Sequence, residues 1–314
     1  MDNKPDNRPL LAAFVGPTAS GKSTLAMEVA EALNGTVVCM DAMQVYRGMD
    51  IGTAKPSRED QARVPHRMLD VAAPDEPYSV AAYVKDARGS IGEVLSQGRL
   101  PLLTGGTGLY LRALRQPLTF GHTPGDEAIR AHWQRLAEAE GAQAVHGKLL
   151  EADPVSARRL HPNDLRRVIR ALEVFELTGR PFSAQEMPGE DESPYRFALF
   201  GVSWEREILY ARIDQRVDRM LEAGLAEEVR MLLASGVSPD SQAMQGLGYK
   251  ELVPFIRSGA GFKEAMETIK RRTRNYAKRQ MTWFNREPDI HWFTGGEDAT
   301  GLANQAISII KEIQ

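Results

Sequence analysis

The sequence predicts an α/β fold: a parallel sheet with flanking helices, interrupted by a mostly helical insertion. Short, continuous apolar runs alternate with amphipathic helical stretches from residue 10 to about residue 115. Such runs are typical of strands in a parallel sheet, because helices bury both of its faces. Residues 116–194 contain helical stretches without a comparable run, and an apolar run returns at 197–202. We therefore predict a core of residues 1–117 and 195–314 and an insertion domain of residues 118–194.

Each element is predicted from the spacing of apolar residues and from the residues that start and stop helices. The predicted strands are 10–15, 36–40, 66–71, 100–104, 197–202 and 290–293, and the predicted helices are 24–33, 79–97, 127–140, 164–178, 205–235, 262–286 and 301–313. Ser79 is predicted to cap a helix, and Gly35 and Gly179 to end the helices before them. Strand and helix alternate in the first 115 residues, which favours a doubly wound sheet.

Composition excludes several classes of protein. Apolar residues make up 42% of the chain and charged residues 26%, as in ordinary folded globular proteins. The net charge of -3 means that any nucleic-acid surface must be a local basic patch. A single cysteine, Cys39, excludes a disulfide framework. The polar N-terminus lacks the apolar region of a signal peptide, and no run is long enough to cross a bilayer, so we expect a cytoplasmic protein without membrane contact.

Residues 16–23 read GPTASGKS and match the phosphate-binding pattern G-x-x-x-x-G-K-S/T, which defines a P-loop. The motif follows a predicted strand and begins a predicted helix, as the pattern requires. Its glycines let backbone N–H groups converge on phosphate oxygens, and the helix N-terminus adds a positive dipole end. Lys22 adds a cation, and Ser23 suits a ligand of Mg²⁺. The predicted diphosphate-binding residues are Gly16, Pro17, Thr18, Ala19, Ser20, Gly21, Lys22 and Ser23.

Two further candidate residues lie at the ends of predicted strands. Asp41 follows the second strand, and Thr107 lies in the glycine-rich turn after the fourth. Ligands of open α/β sheets bind beyond the carboxyl ends of the strands, so we expect both side chains to face the phosphate site. Asp41 suits either a Mg²⁺ ligand or a general base. Thr107 can donate its hydroxyl to a phosphate or to a nucleophile.

Several longer strings accompany these residues in one order. They are DAMQVYRGMDIGTAKP at 41–56, PHRMLD at 65–70, GGTGLY at 105–110, HPND at 161–164, RALE at 170–173, TGR at 178–180, GLGYKE at 246–251 and AKRQMTWF at 277–284. With the phosphate-binding motif they resemble the tRNA dimethylallyltransferase (tRNA isopentenyltransferase) family over residues 10–293. One departure is Ala42, where the family often has serine. The resemblance is to the bacterial form, without the zinc finger of eukaryotic relatives.

The resemblance implies a reaction and the residues that carry it. Family members transfer a dimethylallyl group from dimethylallyl diphosphate to N6 of adenosine-37, next to the anticodon, in tRNAs that read UNN codons. The resemblance implies that the P-loop holds the diphosphate together with Mg²⁺. It implies that Asp41 accepts the N6 proton and that Thr107 lies beside the reacting centre. Arg216 matches a family arginine near the diphosphate, and a guanidinium suits bidentate phosphate contact.

The resemblance also implies an interface with the tRNA anticodon stem-loop. Two basic clusters suit this role, one over residues 158–170 and one over residues 270–279, where Arg271, Arg274 and Lys278 share a helix face. Basic side chains contact phosphates and thereby position the RNA. The predicted tRNA-binding residues are Asp41, Ala42, Met43, Gln44, Thr107, Arg130, Arg166, Arg167, Arg170, Gly246, Gly248, Tyr249, Lys250, Lys278, Arg279, Gln280 and Trp283.

Other functions stay open at this point. A P-loop small-molecule kinase would consume ATP and would need no RNA. A prenyltransferase of free adenine nucleotides would use the same chemistry but would leave the basic clusters without a role. An RNA-binding NTPase switch would tolerate Asp41→Asn. Nothing in the pattern requires more than one chain, so we expect a monomer.

Overall fold

A computed structural model describes residues 6–116, 125–184 and 193–314. The chain divides into two compact units: Met1–Arg115 with Pro194–Gln314, and Gln116–Ser193. The first unit contains a parallel sheet with its helices, whereas the described part of the second unit is helical. Within the described ranges, no helix combines the length and the apolar composition needed to cross a membrane.

The strands of the first unit form one parallel sheet, which confirms the predicted fold class. The strands are β1 (Leu10–Val15), β2 (Gly35–Cys39), β3 (His66–Arg67), β4 (Leu100–Thr104), β5 (Arg196–Ser203) and β6 (Ile290–Thr294). Their order across the sheet is β3-β2-β4-β1-β5-β6. Because β1 pairs with β4 on one side and β5 on the other, the loop after β1 begins in the interior of the sheet's carboxyl edge.

Strand β1 is buried on both sides because each face of the sheet has its own apolar core. Leu11 and Val15 pack into one cluster, and Ala12 and Phe14 into the other. Phe14 stacks on Phe200 of β5 with ring centroids 5.1 Å apart. Successive side chains of a strand point to opposite faces. A continuous apolar run in the sequence therefore corresponds to a strand covered on both faces.

Each predicted helical stretch contains a helix, and the structure adds helices over 58–63, 108–115, 142–152, 154–159 and 249–258 that the sequence did not predict. The helices are α1 (Lys22–Ala32), α2 (Arg58–Arg63), α3 (Val80–Ser96), α4 (Gly108–Arg115), α5 (Glu127–Glu140), α6 (Ala142–Ala152), α7 (Pro154–Arg159), α8 (Leu165–Thr178), α9 (Arg206–Glu222), α10 (Leu225–Ala234), α11 (Tyr249–Ser258), α12 (Phe262–Phe284) and α13 (Ala299–Ile313). The prediction of a single helix over 205–235 is wrong. Helix α9 ends at Glu222 and α10 begins at Leu225, directly after Gly224, whose φ is 100°. The predicted strand over 66–71 forms only over His66–Arg67.

The second unit packs α5, α6, α7 and α8 around a small apolar core that includes Val145 and Val168. Gly179, with φ at 67°, ends α8 as predicted, because glycine enters the left-handed region without steric cost. Glu173 of α8 is fully buried, accepts the N–H of Asp126 and pairs with Arg130 and Arg170. This unit therefore has both an apolar core and a buried charged cluster.

Candidate active site

The phosphate-binding motif connects the end of β1 to the first turn of α1. Gly16 has φ 139°, and a Cβ atom there would lie 2.8 Å from the carbonyl oxygen of Val202 in β5. Gly21 has φ 92° and directly precedes α1. The first N–H groups of a helix have no partner within it and carry a partial positive charge. The motif therefore presents backbone donors and a helix N-terminus, a suitable site for a phosphate group.

Side chains hold the first half of this motif in a strained conformation. The Lys22 Nζ donates to the carbonyl of Pro17 at 3.1 Å, and the Thr18 N–H donates to Oε1 of Gln280 at 2.9 Å. Ala19 has φ 63°, a left-handed conformation that costs an alanine roughly 1–2 kcal/mol. Such a conformation persists when surrounding contacts determine the backbone on both sides.

Two side chains from distant parts of the chain, Arg212 and Trp204, also hold the backbone of the motif. Arg212 Nε donates to the carbonyl of Ala19 at 2.9 Å, and Trp204 Nε1 donates to the carbonyl of Ser20 at 2.8 Å. The Arg212 guanidinium also lies over the Trp204 ring, 4.2 Å from its centroid. Both side chains thus bind carbonyl oxygens of the loop. These contacts fix the loop backbone, in which the N–H groups of Thr18 and Ser20 already donate to Gln280 and to the carbonyl of Pro17.

Two partly buried cations lie at the phosphate site: Lys22 of the motif itself and Arg216 of α9. Desolvation, together with the neighbouring Arg216 charge, lowers the pKa of Lys22 to about 8, although the Asp41 carboxylate acts in the opposite direction. Desolvation also lowers the pKa of Arg216, and Asp41 again opposes this shift. A bound anion would favour the charged form of both groups. The electrostatics therefore suit a multiply charged anion such as diphosphate.

Asp41 and Thr107 meet at the carboxyl edge of the sheet, as the strand order requires. Asp41 Oδ1 accepts the Met43 N–H at 2.9 Å, and Thr107 Oγ1 accepts the Ala42 N–H at 3.1 Å. The Thr107 N–H donates to the carbonyl of Met40 at 3.3 Å. The turns after β2 and β4 are thus bound to each other. They hold a carboxylate within electrostatic reach of both cations of the phosphate site.

The glycine-rich turn after β4 allows α12 to approach closely. A Cβ atom on Gly106 would lie 2.0 Å from Nε2 of Gln280, and one on Gly108 would lie 2.2 Å from Cδ1 of Trp283. Gln280 Nε2 donates to the carbonyl of Gly106 at 2.9 Å. The Tyr276 hydroxyl lies at the same place, 3.9 Å from where a Cβ atom on Gly106 would be. One face of α12 therefore packs directly against the site.

A cleft of about 890 Å³ opens beside the motif. Its walls come from the P-loop, the start of α1, the segment around Lys55, and α9. The lining residues include Ala19, Gly21, Thr24, Lys55, Arg212 and Arg216. Lys55 pairs with both Asp50 and Asp70 at 2.6 Å, so its charge is already neutralised within the protein. The cleft is therefore lined by small residues, by the Lys55 partners Asp50 and Asp70, and by arginines that suit an anion.

The residues at the motif fit a magnesium ion bound together with a phosphate ligand. Ser23 lies exposed in the first turn of α1, next to Lys22. Mg²⁺ usually takes only one or two protein oxygens and completes its shell with phosphate oxygens and water. The described ranges hold no cluster of three or more histidine, cysteine or acidic side chains that could bind a metal alone. A serine hydroxyl beside a diphosphate cradle matches this kind of shared coordination.

The segment at 246–250, predicted to contact RNA, is largely buried in the protein. Tyr249 is only 1% exposed, and its hydroxyl donates to Glu228 at 2.5 Å. Glu228 also accepts the N–H groups of Asp50 and Ile51 at 2.9 and 2.7 Å. Gly246 and Gly248 are buried as well, whereas Lys250 is partly exposed. The Tyr249 side chain therefore supports the loop at 50–52 from within.

The basic residues of α12 fall into two groups. Lys270, Arg272 and Arg274 form ion pairs with acidic side chains of the same unit, at 2.6 to 2.7 Å. Lys278 and Arg279 are exposed, and Arg279 lies over the Tyr276 ring, 5.6 Å from its centroid. The predicted shared face of Arg271, Arg274 and Lys278 is thus not uniformly available, because Arg274 is bound to Asp214.

The predicted RNA-contacting arginines of the second unit are also of two kinds. Arg166 and Arg167 are exposed on α8, where Arg167 also pairs with Asp164 at 3.1 Å. Arg130 and Arg170 both bind Glu173, at 2.8 and 2.5 Å. Because one buried carboxylate orients both guanidinium groups, Arg130 and Arg170 are held in place before any ligand binds.

Sequence reasoning missed Trp204 and Arg212 as supports of the P-loop. Trp204 and Arg212 bind the P-loop from more than 180 residues away in the chain. The sequence offers one weak signal: Arg212 lies four residues, one helical turn, before Arg216. Arg212 and Arg216 consequently both line the cleft.

Comparison with known proteins points to one family. The sequence model of the IPP transferase family matches residues 44–287, and that of the isopentenyl transferases matches residues 9–70. The tRNA dimethylallyltransferase of Pelotomaculum thermopropionicum is 47% identical over 93% of this chain and 92% of its own. That of Geobacter sulfurreducens is 49% identical over 93% of this chain and 94% of its own.

Solved structures show the same likeness. The full-length tRNA isopentenylpyrophosphate transferase of Bacillus halodurans has a TM-score of 0.73 and 41% identity, over 98% of this chain and 96% of that one. A eukaryotic dimethylallyltransferase, solved acting on tRNA, has a TM-score of 0.78 and 27% identity, over 97% of this chain and 79% of that one. Because sequence relatives near half identity span nearly the whole chain, and the family model spans most of it, this chain belongs to the tRNA dimethylallyltransferase (IPP transferase) family.

Proposed function

We propose that this protein transfers the dimethylallyl group of dimethylallyl diphosphate to N6 of adenosine-37 in tRNAs that read UNN codons, and releases diphosphate. The observation that carries the proposal is the position of Asp41. Its carboxylate lies at the carboxyl end of β2, bound to the turn of Thr107 and within electrostatic reach of Lys22 and Arg216. A base and a cradle for the leaving group are therefore neighbours. The names of the relatives support the same reaction.

In the proposed reaction, N6 forms a bond to C1 of the dimethylallyl group while the bond from C1 to the diphosphate oxygen breaks. Asp41 accepts the proton that N6 loses. Negative charge grows on the diphosphate, and the P-loop N–H groups stabilise it together with Lys22 and Arg216. Mg²⁺ held at Ser23 would neutralise further charge on the leaving group. Thr107 keeps the Asp41 turn in place by accepting the Ala42 N–H.

The proposed RNA partner is the tRNA anticodon stem-loop, bound by a monomer of this protein. The target base must leave the stack before its N6 atom can react, at a cost of a few kcal/mol. Exposed basic residues, among them Lys278 and Arg279 of α12 and Arg166 and Arg167 of α8, would offset this cost through phosphate contacts. Gel filtration of the protein with and without an anticodon stem-loop tests the proposed one-to-one complex.

The reaction itself is tested with purified protein, Mg²⁺ and radiolabelled dimethylallyl diphosphate. The acceptor is an unmodified tRNA of the UNN-reading class, and a second tRNA carries guanosine at position 37. Asp41→Asn is the informative variant, because the new amide oxygen can still accept the Met43 N–H and keep the turn. Asp240→Asn makes the same chemical change at an exposed site and serves as the control.

We expect label in the tRNA that has adenosine-37 and none in the guanosine form. Asp41→Asn should lower kcat by about 10²- to 10⁴-fold, the usual contribution of a general base, while Asp240→Asn matches the wild type. Parallel reactions contain AMP or ATP in place of tRNA. Transfer to AMP alone would identify a nucleotide prenyltransferase. Phosphate release from ATP with no prenyl transfer would replace the proposal with a kinase or an NTPase switch.

A further inference from the structure

Gln280 is a buried polar residue, 5% exposed, and both the oxygen and the nitrogen of its side-chain amide form hydrogen bonds. Oε1 accepts the Thr18 N–H at 2.9 Å, and Nε2 donates to the carbonyl of Gly106 at 2.9 Å. These partners lie 262 and 174 residues away in the chain. A buried amide with both ends satisfied by backbone groups fixes the distance between those two backbones.

The two backbones that Gln280 joins belong to different parts of the reaction. Thr18 lies in the diphosphate cradle, next to Ala19, whose φ of 63° requires support from its surroundings. Gly106 directly precedes Thr107 in the turn that holds Asp41 in place. The cradle follows β1, whereas the Asp41 and Thr107 turns follow β2 and β4. Their relative position is therefore set by contacts between loops as well as by the sheet.

The other described supports of the P-loop do not make this connection. Lys22 belongs to the motif itself, and Arg212 and Trp204 come from the side of β5 and α9. Glycine at position 106 leaves room for the Gln280 amide, since a Cβ atom there would lie 2.0 Å from Nε2. The absence of a side chain at Gly106 therefore makes room for the Gln280 amide.

We propose that Gln280 is a positioning residue, which holds the diphosphate cradle in register with the Thr107 turn and thereby aligns the leaving group with the base. This role rests on the proposed function, because alignment matters only if the transfer occurs. It differs from the RNA contact predicted for Gln280 from the sequence. The side chain faces inward, while the adjacent Lys278 and Arg279 face outward.

The test separates these two roles with Gln280→Met, which keeps the length of the side chain and removes both hydrogen bonds. Affinity for dimethylallyl diphosphate with Mg²⁺ is measured by calorimetry without RNA. Affinity for an unmodified anticodon stem-loop is measured by fluorescence anisotropy without diphosphate. We expect the diphosphate Kd to rise about tenfold, the RNA Kd to stay within about twofold, and kcat to fall as well. Gln305→Met makes the same change on the exposed surface of α13 and should alter none of these values.

An RNA Kd that rises while the diphosphate Kd stays unchanged would overturn the proposal and make Gln280 an RNA contact. Wild-type values throughout would show that the bridge is dispensable. If Gln280→Met does not fold, Gln280→Asn takes its place, because it keeps the amide but is too short to reach both partners. The same two outcomes then overturn the proposal. Failure of the proposed function would show separately, as wild-type protein that binds diphosphate but transfers no prenyl group to tRNA.

Discussion

The lowered pKa of Lys22 predicts that binding of the proposed diphosphate substrate depends on pH. The pKa of Lys22 is lowered to about 8 in the ligand-free protein, mainly by desolvation. Only the ammonium form attracts a diphosphate, so raising the pH through 8 removes the binding-competent form. We expect kcat/KM for dimethylallyl diphosphate to fall by up to tenfold per pH unit above about pH 8, as measured by initial rates between pH 7.5 and 9.5.

Lys22→Arg is the matched variant, because a guanidinium keeps its charge over this range. It should lower activity overall and remove the decline above pH 8. The value of kcat at saturating diphosphate should decline less than kcat/KM in the wild type, since the bound anion favours the ammonium form. A wild-type kcat/KM that stays level to pH 9.5 would mean that Lys22 does not control binding.

Position 105 requires glycine because the backbone of Met40 passes close to it. A Cβ atom there would lie 2.0 Å from the carbonyl oxygen of Met40, and a backbone atom cannot rotate away. We expect Gly105→Ala to lower the free energy of unfolding by about 3 kcal/mol or more. Gly92→Ala, at an exposed site in α3 with no atom within 4 Å, should raise it by about 0.5–1 kcal/mol. Urea denaturation followed by circular dichroism measures both, and equal effects would contradict the steric argument.

Among the helices, α5 and α8 depend on one buried carboxylate. Glu173 is fully buried and accepts the Asp126 N–H at 2.7 Å and guanidinium groups of Arg130 and Arg170. Its loss removes charge-assisted hydrogen bonds and leaves a backbone N–H unpaired, which typically costs about 1–3 kcal/mol, while the partly exposed arginines stay solvated. We expect Glu173→Ala to destabilise the second unit by this amount. Hydrogen exchange of α5 and α8 amides is the measurement, because it reports on one unit.

Glu151→Ala is the control for this variant. Glu151 lies exposed and, among the residues that the structure describes, pairs with Lys148 alone, so its loss should cost at most about 0.5 kcal/mol. Comparable exchange in the two variants would show that the buried cluster adds little stability.

The same cluster makes the second unit sensitive to acid. Burial alone would raise the pKa of Glu173, but hydrogen bonds from Arg170, the Asp126 N–H and Arg130 outweigh it, and the pKa lies below the ordinary value of 4.5. A lowered carboxyl pKa contributes stability above the unfolded-state value, and this stability is lost as the pH falls. We expect protection of α5 and α8 amides to decline below about pH 4.5. The decline should be smaller in Glu173→Gln, whose side chain does not titrate.

Because the whole molecule has a net charge of -3, any RNA-binding surface must be a local patch of basic residues. Cations already paired within the protein have few counterions to release, so exposed cations should dominate the salt dependence. Lys278→Ala should weaken RNA binding and reduce the slope of log K against log salt by about 1. Lys270→Ala removes the same charge from the same helix but from a pair with Asp218, and should leave the slope unchanged. Anisotropy titrations from about 50 to 200 mM salt measure the slopes, and equal slopes would contradict the assignment.

At this scale, local signals in the sequence predict much of the fold. The continuous run Leu10–Val15 forms a buried strand, and Gly179 ends a helix as predicted. The predicted single helix over 205–235 is wrong because Gly224 lies within an otherwise regular apolar pattern, and a glycine in a helical pattern does not by itself say whether the helix ends there. The short strand at 66–67 is at the sheet edge, where only one neighbour supports it.

The site divides in the same way between local and tertiary causes. By itself the sequence determined the P-loop and the strand-end position of Asp41, because turn chemistry and apolar spacing act over a few residues. The family followed from the resemblance of several longer sequence strings. Only the tertiary structure decided that Gln280 and Tyr249 face inward and that Arg274 is paired while Lys278 is exposed. Such contacts join residues tens to hundreds of positions apart. No local pattern encodes them, because packing between distant elements determines which side of each helix meets water.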